Sequence, residues 1–388
     1  MTSRFDRAFR KFAITVLGVY ARLRFNTHKI VTDEPPKGAL ILCNHTMLMD
    51  FANLLWAMFP RSDQRFVATS VVYDRSKLNQ WAFKHLGLIR KNQGATDLTS
   101  LKEMMKAAKE GGSVVIYAAG MLSFDGRPAI DVLPGTETLP RLMRTDVYAA
   151  VTHGGFLTSP RYSHKVSRGR IEIELKRICT AQEAASLSKE ELRWRINEAL
   201  SFNDWDWQEA HRVPFHGIKS VKKLSRTLYM CPACHGEGTL LEKGNTLTCS
   251  RCGLSARRDK YGFFSSENPA CPTRVDKWAD LEREEIKRQL ESEDFALRAP
   301  VTLYERQQNS SEDLHCAGTG ELTMDRESLR FEGKESSLRF GFSDFQFLML
   351  DDVNSLIINT DKKNYRFAFD DPRLVTKWFF VHRELRGL

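Results

Sequence analysis

The sequence predicts an α/β domain with a largely buried sheet, followed by a small cysteine-rich module and a small β domain with a terminal helix. Three observations support this order. Short apolar runs alternate with helical patterns in the first part of the chain, two closely spaced cysteine pairs follow, and a succession of strand patterns appears after Pro300. We therefore divide the 388-residue chain into residues 1–228, 229–265 and 266–388.

The individual elements follow from hydrophobic periodicity. In the first part, the pattern predicts strands at 39–42, 65–72, 113–117 and 147–151, and helices at 54–59 and 98–109. In the last part, it predicts a charged helix at 276–295, strands at 329–331, 338–342, 345–350, 355–358 and 365–369, and a final helix at 372–385. Antiparallel strands closed by one terminal helix resemble a β domain of the pleckstrin-homology or GRAM type.

The charge is concentrated at the start of the chain. The formal net charge is +9, of which residues 1–228 contribute +13 and the remainder −4. Residues 1–24 combine six basic side chains with apolar ones at helical spacing, which fits either a helix on a membrane surface or one packed on its own domain. The uncharged stretch 12–21 is too short to span a bilayer, and we expect no secretory signal. Nucleic acid is a weak candidate partner because the acidic tail would repel phosphates.

The cysteines indicate a metal site. Cys231 and Cys234 form one Cys-x-x-Cys pair, Cys249 and Cys252 form another, and fourteen residues separate the pairs. Four thiolates at this spacing predict a closed tetrahedral site for structural zinc, a zinc ribbon, with disulfides or another metal as the alternatives. The other four cysteines lack such spacing and indicate free thiols, so we expect a cytoplasmic protein.

The strongest candidate for chemistry lies where the strand at 39–42 leads into a helix. His45 and Asp50 would be about 140° apart on one straight helix. They can meet if His45 lies in the turn, with Thr46 as the helix cap and Asp50 one turn inside the helix. The carboxylate would then hold one imidazole nitrogen and leave the other free to accept a proton. The alternative is a capping histidine beside a solvated aspartate.

This segment resembles the first sequence block of the glycerolipid acyltransferase superfamily, which includes 1-acylglycerol-3-phosphate acyltransferases. The block is Asn44-His45 followed after four residues by Asp50, and residues 86–89 and 116–126 resemble the second and third blocks. Together with the segment around Trp205 and the cysteine pairs, the chain is similar to a bacterial subgroup with a zinc-ribbon tail.

The resemblance implies a function. His45 would deprotonate a lipid hydroxyl that attacks the thioester of acyl-CoA or acyl carrier protein, while Asp50 orients the imidazole. It further implies that the substrate lies against these residues of the blocks: Asn44, Gly120 and Ser123. No Gly-x-Ser-x-Gly elbow occurs, and none is required because the thioester is already activated. The protein is expected to work at the cytoplasmic face of the membrane, as a peripheral protein.

The third block departs from the family pattern. Ala118, Ala119 and Leu122 stand where the family usually has proline, glutamate and arginine, and Asn92 and Gln93 lie where the second block has its arginine. Nearby cations could replace the lost charges at a phosphate or could be ordinary surface residues: Arg90, Lys91 and Arg127. Two hypotheses follow, an acyltransferase with an altered acceptor and a lipid-binding or scaffolding protein that has lost turnover.

Overall fold

The structure is a computed structural model that describes residues 3–74, 76–91, 97–163, 165–307, 314–334, 336–345, 348–351 and 354–387. The chain forms two compact units, Met1–Ile218 and Lys219–Leu388. The division therefore falls ten residues before the end of the first predicted part, and the cysteine-rich module shares a unit with the β domain.

The first unit is built on a seven-stranded sheet with the order β1-β7-β6-β2-β5-β3-β4. The strands are β1 Thr27–Val31, β2 Leu40–Cys43, β3 Gln64–Thr69, β4 Ile89–Lys91, β5 Ser113–Tyr117, β6 Val147–His153 and β7 Ile171–Cys179. Strands β2 to β6 run parallel, whereas β7 is antiparallel to β6. The predicted α/β class with a buried sheet is confirmed.

Helices cover both faces of this sheet. They are α1 Arg4–Phe25, α2 Asp50–Ala57, α3 Ser70–Tyr73, α4 Lys77–Leu86, α5 Leu98–Lys109, α6 Leu139–Met143, α7 Gly155–Thr158, α8 Ala181–Ser186, α9 Lys189–Leu200 and α10 Asp204–His211. Because strand side chains alternate, Leu40 and Leu42 of β2 enter one apolar core, and Ile41 and Cys43 enter the other. Every residue of β2 is buried, so the end of this strand is a rigid support.

Two predicted elements differ from the structure. The strand predicted at 65–72 ends at Thr69, and the short helix α3 follows at once. The helix predicted at 54–59 begins earlier, at Asp50, and ends at Ala57. Short apolar runs do not distinguish a strand from a buried helix, which explains the first difference. Strands β1 and β7 were not predicted.

Helix α1 has two different faces. Ile14, Gly18, Ala21 and Phe25 are buried against the rest of the unit, and a Cβ on Gly18 would lie 3.3 Å from the backbone nitrogen of Trp56 in α2. The opposite face exposes six large apolar side chains: Phe5, Phe12, Val16, Val19, Tyr20 and Leu23. Packing on its own domain therefore accounts for one face and leaves the other uncovered within this unit. No helix in the described parts of the chain combines the length and apolarity that a membrane span requires.

The second unit contains two antiparallel sheets. The smaller one has the order β11-β10-β9-β8 and comprises β8 Leu240–Lys243, β9 Thr246–Cys249, β10 Ser255–Arg258 and β11 Phe264–Ser265. The larger one has the order β15-β14-β13-β12-β18-β17-β16. Its strands are β12 Leu297–Gln307, β13 His315–Met324, β14 Ser328–Gly333, β15 Ser337–Gly341, β16 Leu348–Asp351, β17 Ser355–Asn359 and β18 Lys363–Phe369.

Two helices complete this unit, α11 Val275–Gln289 and α12 Val375–Leu385. The helix predicted at 276–295 is therefore shorter, and residues 290–295 lie outside it. A sheet of antiparallel strands with a terminal helix is present as predicted. Strands β12 and β13 were not predicted. Strand β13 contains two glycines and most of its residues are exposed or half-buried, so its sequence lacks an apolar alternation.

Candidate active site

The turn after β2 is tied to the neighbouring strand by a side chain. The Asn44 amide donates to the Thr152 carbonyl oxygen at 2.9 Å, and the Thr152 backbone N–H donates to the Asn44 side-chain oxygen at 2.8 Å. Asn44 is buried and thus continues the β2–β6 pairing with its side chain where the backbone turns away. This pair of hydrogen bonds fixes the position from which the next residue, His45, projects.

His45 and Asp50 are in contact. The distance from His45 Nδ1 to Asp50 Oδ2 is 2.9 Å. His45 lies in the turn before α2, as predicted, but Asp50 is the first residue of the helix and not one turn inside it. The predicted role of Thr46 as helix cap is wrong, because Met49 occupies the cap position and makes no side-chain capping bond. The Thr46 hydroxyl instead donates to Asp50 Oδ1 at 2.9 Å.

The Asp50 carboxylate is enclosed by donors from the turn. Besides His45 and the Thr46 hydroxyl, the backbone N–H groups of Thr46 and Met47 donate to Oδ2 at 2.6 and 3.0 Å. The Asp50 side chain is 1% exposed and that of His45 is 21% exposed. A carboxylate accepts only from a protonated Nδ1, so the contact selects the tautomer whose Nε2 has a free lone pair. His45 is thus arranged as a proton acceptor that ligands can reach.

Tyr117 supports the imidazole from the next strand. Its ring stacks on that of His45 with 4.4 Å between centroids, and it is the last residue of β5, opposite Cys43 in register. The Tyr117 hydroxyl is buried and has no hydrogen-bond partner among the described residues. Burial raises the pKa of Tyr117 well above its usual value, so the hydroxyl stays protonated.

The third-block loop runs beside His45 and is anchored at both ends. The Ala118 N–H donates to the Cys43 carbonyl at 3.1 Å, and the Ser123 N–H donates to the His45 carbonyl at 2.9 Å. The Ser123 hydroxyl is used within the loop, since it donates to the Arg127 carbonyl at 2.6 Å and accepts from the Gly126 N–H at 2.9 Å. Gly120 has φ +62°, a conformation that favours glycine. Ser123 and Gly120 therefore shape the loop.

The predicted cations lie farther from His45 or are paired. The Arg127 guanidinium donates to Asp125 Oδ2 at 2.7 Å, and Arg90 Nε donates to Asp74 Oδ2 at 2.8 Å. Arg90 and the half-buried Lys91 belong to β4, which is the third strand from β2. The sheet order thus does not bring these two residues to His45. Asn92 and Gln93 lie outside the described residues.

Two further groups support the turn from behind. A Cβ added to Gly155 would lie 2.0 Å from the Thr46 hydroxyl oxygen, so only glycine fits there. The buried Asp204 accepts from the N–H groups of Gly154 and Phe156 at 2.9 and 3.0 Å, and burial raises its pKa to about 7. The sequence carries no local signal for these contacts, because Asp204 follows His45 by more than 150 residues.

Comparison with known proteins assigns the class of the domain that contains this site. Residues 24–148 match the model of the family described as Acyltransferase. This segment contains both His45 and Asp50. It is an acyltransferase domain, which confirms the resemblance to that superfamily.

A solved structure is also similar. The 1-acyl-sn-glycerophosphate (LPA) acyltransferase PlsC from Thermotoga maritima aligns with 49% of this chain and 78% of its own, with a TM-score of 0.40 and 16% sequence identity. No curated protein matches the sequence.

The four predicted cysteines come together in the second unit. The Sγ atoms of Cys231, Cys234, Cys249 and Cys252 all lie within 4.8 Å of one another. The Cys231–Cys252 and Cys234–Cys249 Sγ distances are 3.6 and 3.7 Å. Four sulfurs at about 2.3 Å from a tetrahedral ion would be about 3.8 Å apart. The cluster therefore fits a metal ion, and the cysteines are free thiols in this structure.

Helix α11 holds the first cysteine pair in place. Trp278 Nε1 donates to the Met230 carbonyl at 2.8 Å, and the Met230 N–H donates to Glu282 Oε1 at 2.9 Å. Both polar groups of the residue before Cys231 are thereby satisfied by one helix. His235 contacts Glu285 at 3.1 Å. It is not part of the ligand cluster.

We expect the ring and the hydroxyl of Tyr117 to have separable effects on the free energy of unfolding. Tyr117→Phe keeps the ring on His45 and removes a buried unpaired hydroxyl, so the free energy of unfolding should rise by about 1 kcal/mol. Tyr117→Ala removes the ring and should cost about 3 kcal/mol. Chemical denaturation of both variants measures this. A Phe variant less stable than the parent protein would mean that the hydroxyl has a stabilising partner.

Proposed function

We propose that this protein transfers a fatty acyl group from acyl-CoA or acyl carrier protein to a hydroxyl of a (lyso)phospholipid or glycerolipid acceptor at a membrane surface. The observation that carries the proposal is the contact between His45 and Asp50 within an acyltransferase domain. In this contact His45 is a base whose Nδ1 is held by Asp50 and whose Nε2 can accept a proton.

The chemistry balances with these two residues. His45 Nε2 takes the proton of the acceptor hydroxyl as its oxygen attacks the thioester carbonyl. The tetrahedral intermediate collapses with cleavage of the C–S bond, and the imidazolium returns the proton to the leaving thiolate. The Asp50 carboxylate stabilises the imidazolium while it exists. Asn44, Gly120 and Ser123 act by holding the turn and its neighbouring loop. Arg90, Lys91 and Arg127 would be contacts only for a headgroup that extends away from His45, since β4 is the third strand from β2 and Arg127 is paired with Asp125.

A second candidate function is lipid binding without turnover, which the loop sequence favours. Ala119 and Leu122 leave the third-block loop without its usual charged side chains. Such a protein would keep the lipid site and act as a scaffold. The His45 variant described below separates the two functions.

The exposed face of α1 supports attachment to a membrane surface. Phe12 and Leu23 are 67% and 68% exposed, and Arg4, Arg7 and Lys11 are exposed on the same helix. Apolar side chains can enter the acyl boundary while the cations meet anionic headgroups. We infer a peripheral protein on the cytoplasmic face of the membrane.

We assign the four-cysteine cluster to structural zinc. Four thiolates in a closed tetrahedral arrangement suit Zn²⁺ and leave no position for a substrate. The ion would join the two cysteine pairs of the second unit and thus stabilise its fold.

Substitution of the base tests the catalytic proposal. His45→Ala should reduce acyl transfer about 10²- to 10⁴-fold because no proton acceptor is left at that position. Asp50→Asn should also reduce it, since an amide cannot accept from all four donors that surround the carboxylate. The measurement is product formation with mixed lipid acceptors, using as donor either labelled acyl-CoA or acyl carrier protein loaded with a labelled acyl group.

His216→Ala is the matched control, because this histidine is exposed in the same unit. Unchanged activity in folded His45→Ala would exclude His45 as the base. A parent protein that binds lipid acceptors but forms no product with either donor would favour the scaffold function.

Membrane attachment is tested at the exposed face of α1. The double variant Phe12→Ser, Leu23→Ser should sediment with anionic vesicles about tenfold more weakly, because each side chain loses favourable apolar transfer. High salt should weaken binding further through screening of the cations. Trp194→Ser, which removes an exposed apolar side chain of α9, serves as control. Equal binding by the double variant and the parent protein would rule out this face.

Metal analysis tests the zinc assignment. The purified protein should contain about one zinc per chain, and Cys234→Ser should lower the melting temperature by roughly 10 °C or more because metal binding contributes directly to folding. Cys316→Ser, at an exposed cysteine outside the cluster, should not change it. A metal-free protein of equal stability would contradict the assignment.

A further inference from the structure

The wall of the site beside His45 carries no charge. The loop between the two backbone anchors, Ala118 to Cys43 and Ser123 to His45, contains four residues. Their sequence is Ala119-Gly120-Met121-Leu122. One end of the loop is bonded to Cys43, the last residue of β2, and the other end is bonded to His45 itself. These four residues therefore flank the position that the reacting hydroxyl would occupy. No side chain among them can donate a charge-assisted hydrogen bond.

Arg127, which follows the loop, and Arg161, which contacts the neighbouring Phe124, both interact with groups of the protein. Arg127 donates to the Asp125 carboxylate, whose side chain is 2% exposed. The Arg161 guanidinium lies over the Phe124 ring, 5.1 Å from its centroid. Arg127 would have to leave the Asp125 carboxylate before it could bind a ligand's anion.

The cations of β4 are distant in the sheet. Three strand spacings separate β4 from β2, which corresponds to roughly 14 Å. Arg90 is in addition paired with Asp74. In a 1-acylglycerol 3-phosphate the free hydroxyl and the phosphate lie on neighbouring carbons, so a phosphate in the site would be close to His45 and far from Arg90 and Lys91.

Carboxylates, by contrast, are close to the base. Asp50 contacts His45 directly, and Asp204 is near enough to interact electrostatically with Asp50. A phosphate monoester carries a charge of about −1.5 to −2 at neutral pH and needs cationic donors. Leu48, in the turn that carries His45, is 69% exposed and extends the apolar surroundings.

We propose, on the basis of the acyltransferase function above, that the acceptor is an uncharged long-chain alcohol of the monoacylglycerol type and not a phosphate monoester. The alcohol places its hydroxyl on His45 Nε2 and its glycerol carbons against the loop 119–122. Because this alcohol carries no phosphate, it needs no cationic donors from the loop, and the uncharged wall is a suitable surface for it.

A matched pair of acceptors tests this inference. Monoacylglycerol and lysophosphatidate with the same acyl chain differ by the phosphate alone, and each is offered to the full-length protein in identical mixed micelles with labelled acyl-CoA or acyl carrier protein. We expect kcat/KM for monoacylglycerol to exceed that for lysophosphatidate at least about tenfold. This ratio corresponds to the loss of one hydrogen bond to the charged phosphate. Equal values, or a preference for lysophosphatidate, would overturn the inference and leave the acyltransferase function standing. Product from neither acceptor with either donor would also overturn this inference, and the assay with mixed lipid acceptors described above would then decide the acyltransferase function separately.

A charge placed in the loop provides a second measurement. Leu122→Arg should shift the kcat/KM ratio toward lysophosphatidate, because it places a cation within the segment that flanks His45. Leu122→Gln, of similar length but uncharged, should leave the ratio unchanged. Identical ratios for these two variants would mean that the loop does not face the acceptor headgroup, which would remove the basis of the inference.

Discussion

The buried carboxylate of Asp50 is the constraint on which the site depends. A carboxylate that loses its hydration must find donors within the protein, and here all four come from residues 45–47. The turn therefore has to curl around the first residue of α2, where the helix N-terminus also favours a negative charge. This arrangement explains the spacing of five between His45 and Asp50. The residues between them form the loop that brings the imidazole back over the carboxylate, which a continuous helix could not do.

The rest of the first unit holds this turn from several directions. Asn44 is bonded to β6, the His45 carbonyl to the loop after β5, and Thr46 lies against Gly155 at the start of α7. Each contact comes from the carboxyl end of a parallel strand or from the segment that follows it. Parallel strands bring these ends to one edge of the sheet, so segments far apart in sequence meet there. The base is thus positioned by backbone groups and short side chains that have little freedom to move.

Contacts of this kind determine how much of the site could be predicted from the sequence. The strand at 113–117, the helix at 98–109 and the contact of His45 with Asp50 follow from apolar periodicity and from the geometry of a strand-to-helix turn. The role of Thr46 was not predicted correctly, because a hydroxyl that caps a helix and one that serves a buried carboxylate look alike in sequence. Arg127 pairs locally with Asp125, two residues earlier, whereas the ion pair of Arg90 with Asp74 and the support from Tyr117 depend on which segments become neighbours. That information lies in tertiary packing and not in local pattern.

The positive charge of the first 228 residues includes exposed cations on α1, the helix proposed to meet the membrane. Exposed cations on α1 interact with an anionic surface collectively, over roughly a Debye length of 10 Å, and need no fixed geometry. Recognition of one phosphate inside a site is different, because it requires donors within hydrogen-bond distance and in fixed directions. Arg127 directs its donors to Asp125, and the Arg161 guanidinium lies over the Phe124 ring. A chain can therefore be strongly basic and still offer an uncharged wall to its acceptor, since the two requirements are met by different residues on different elements.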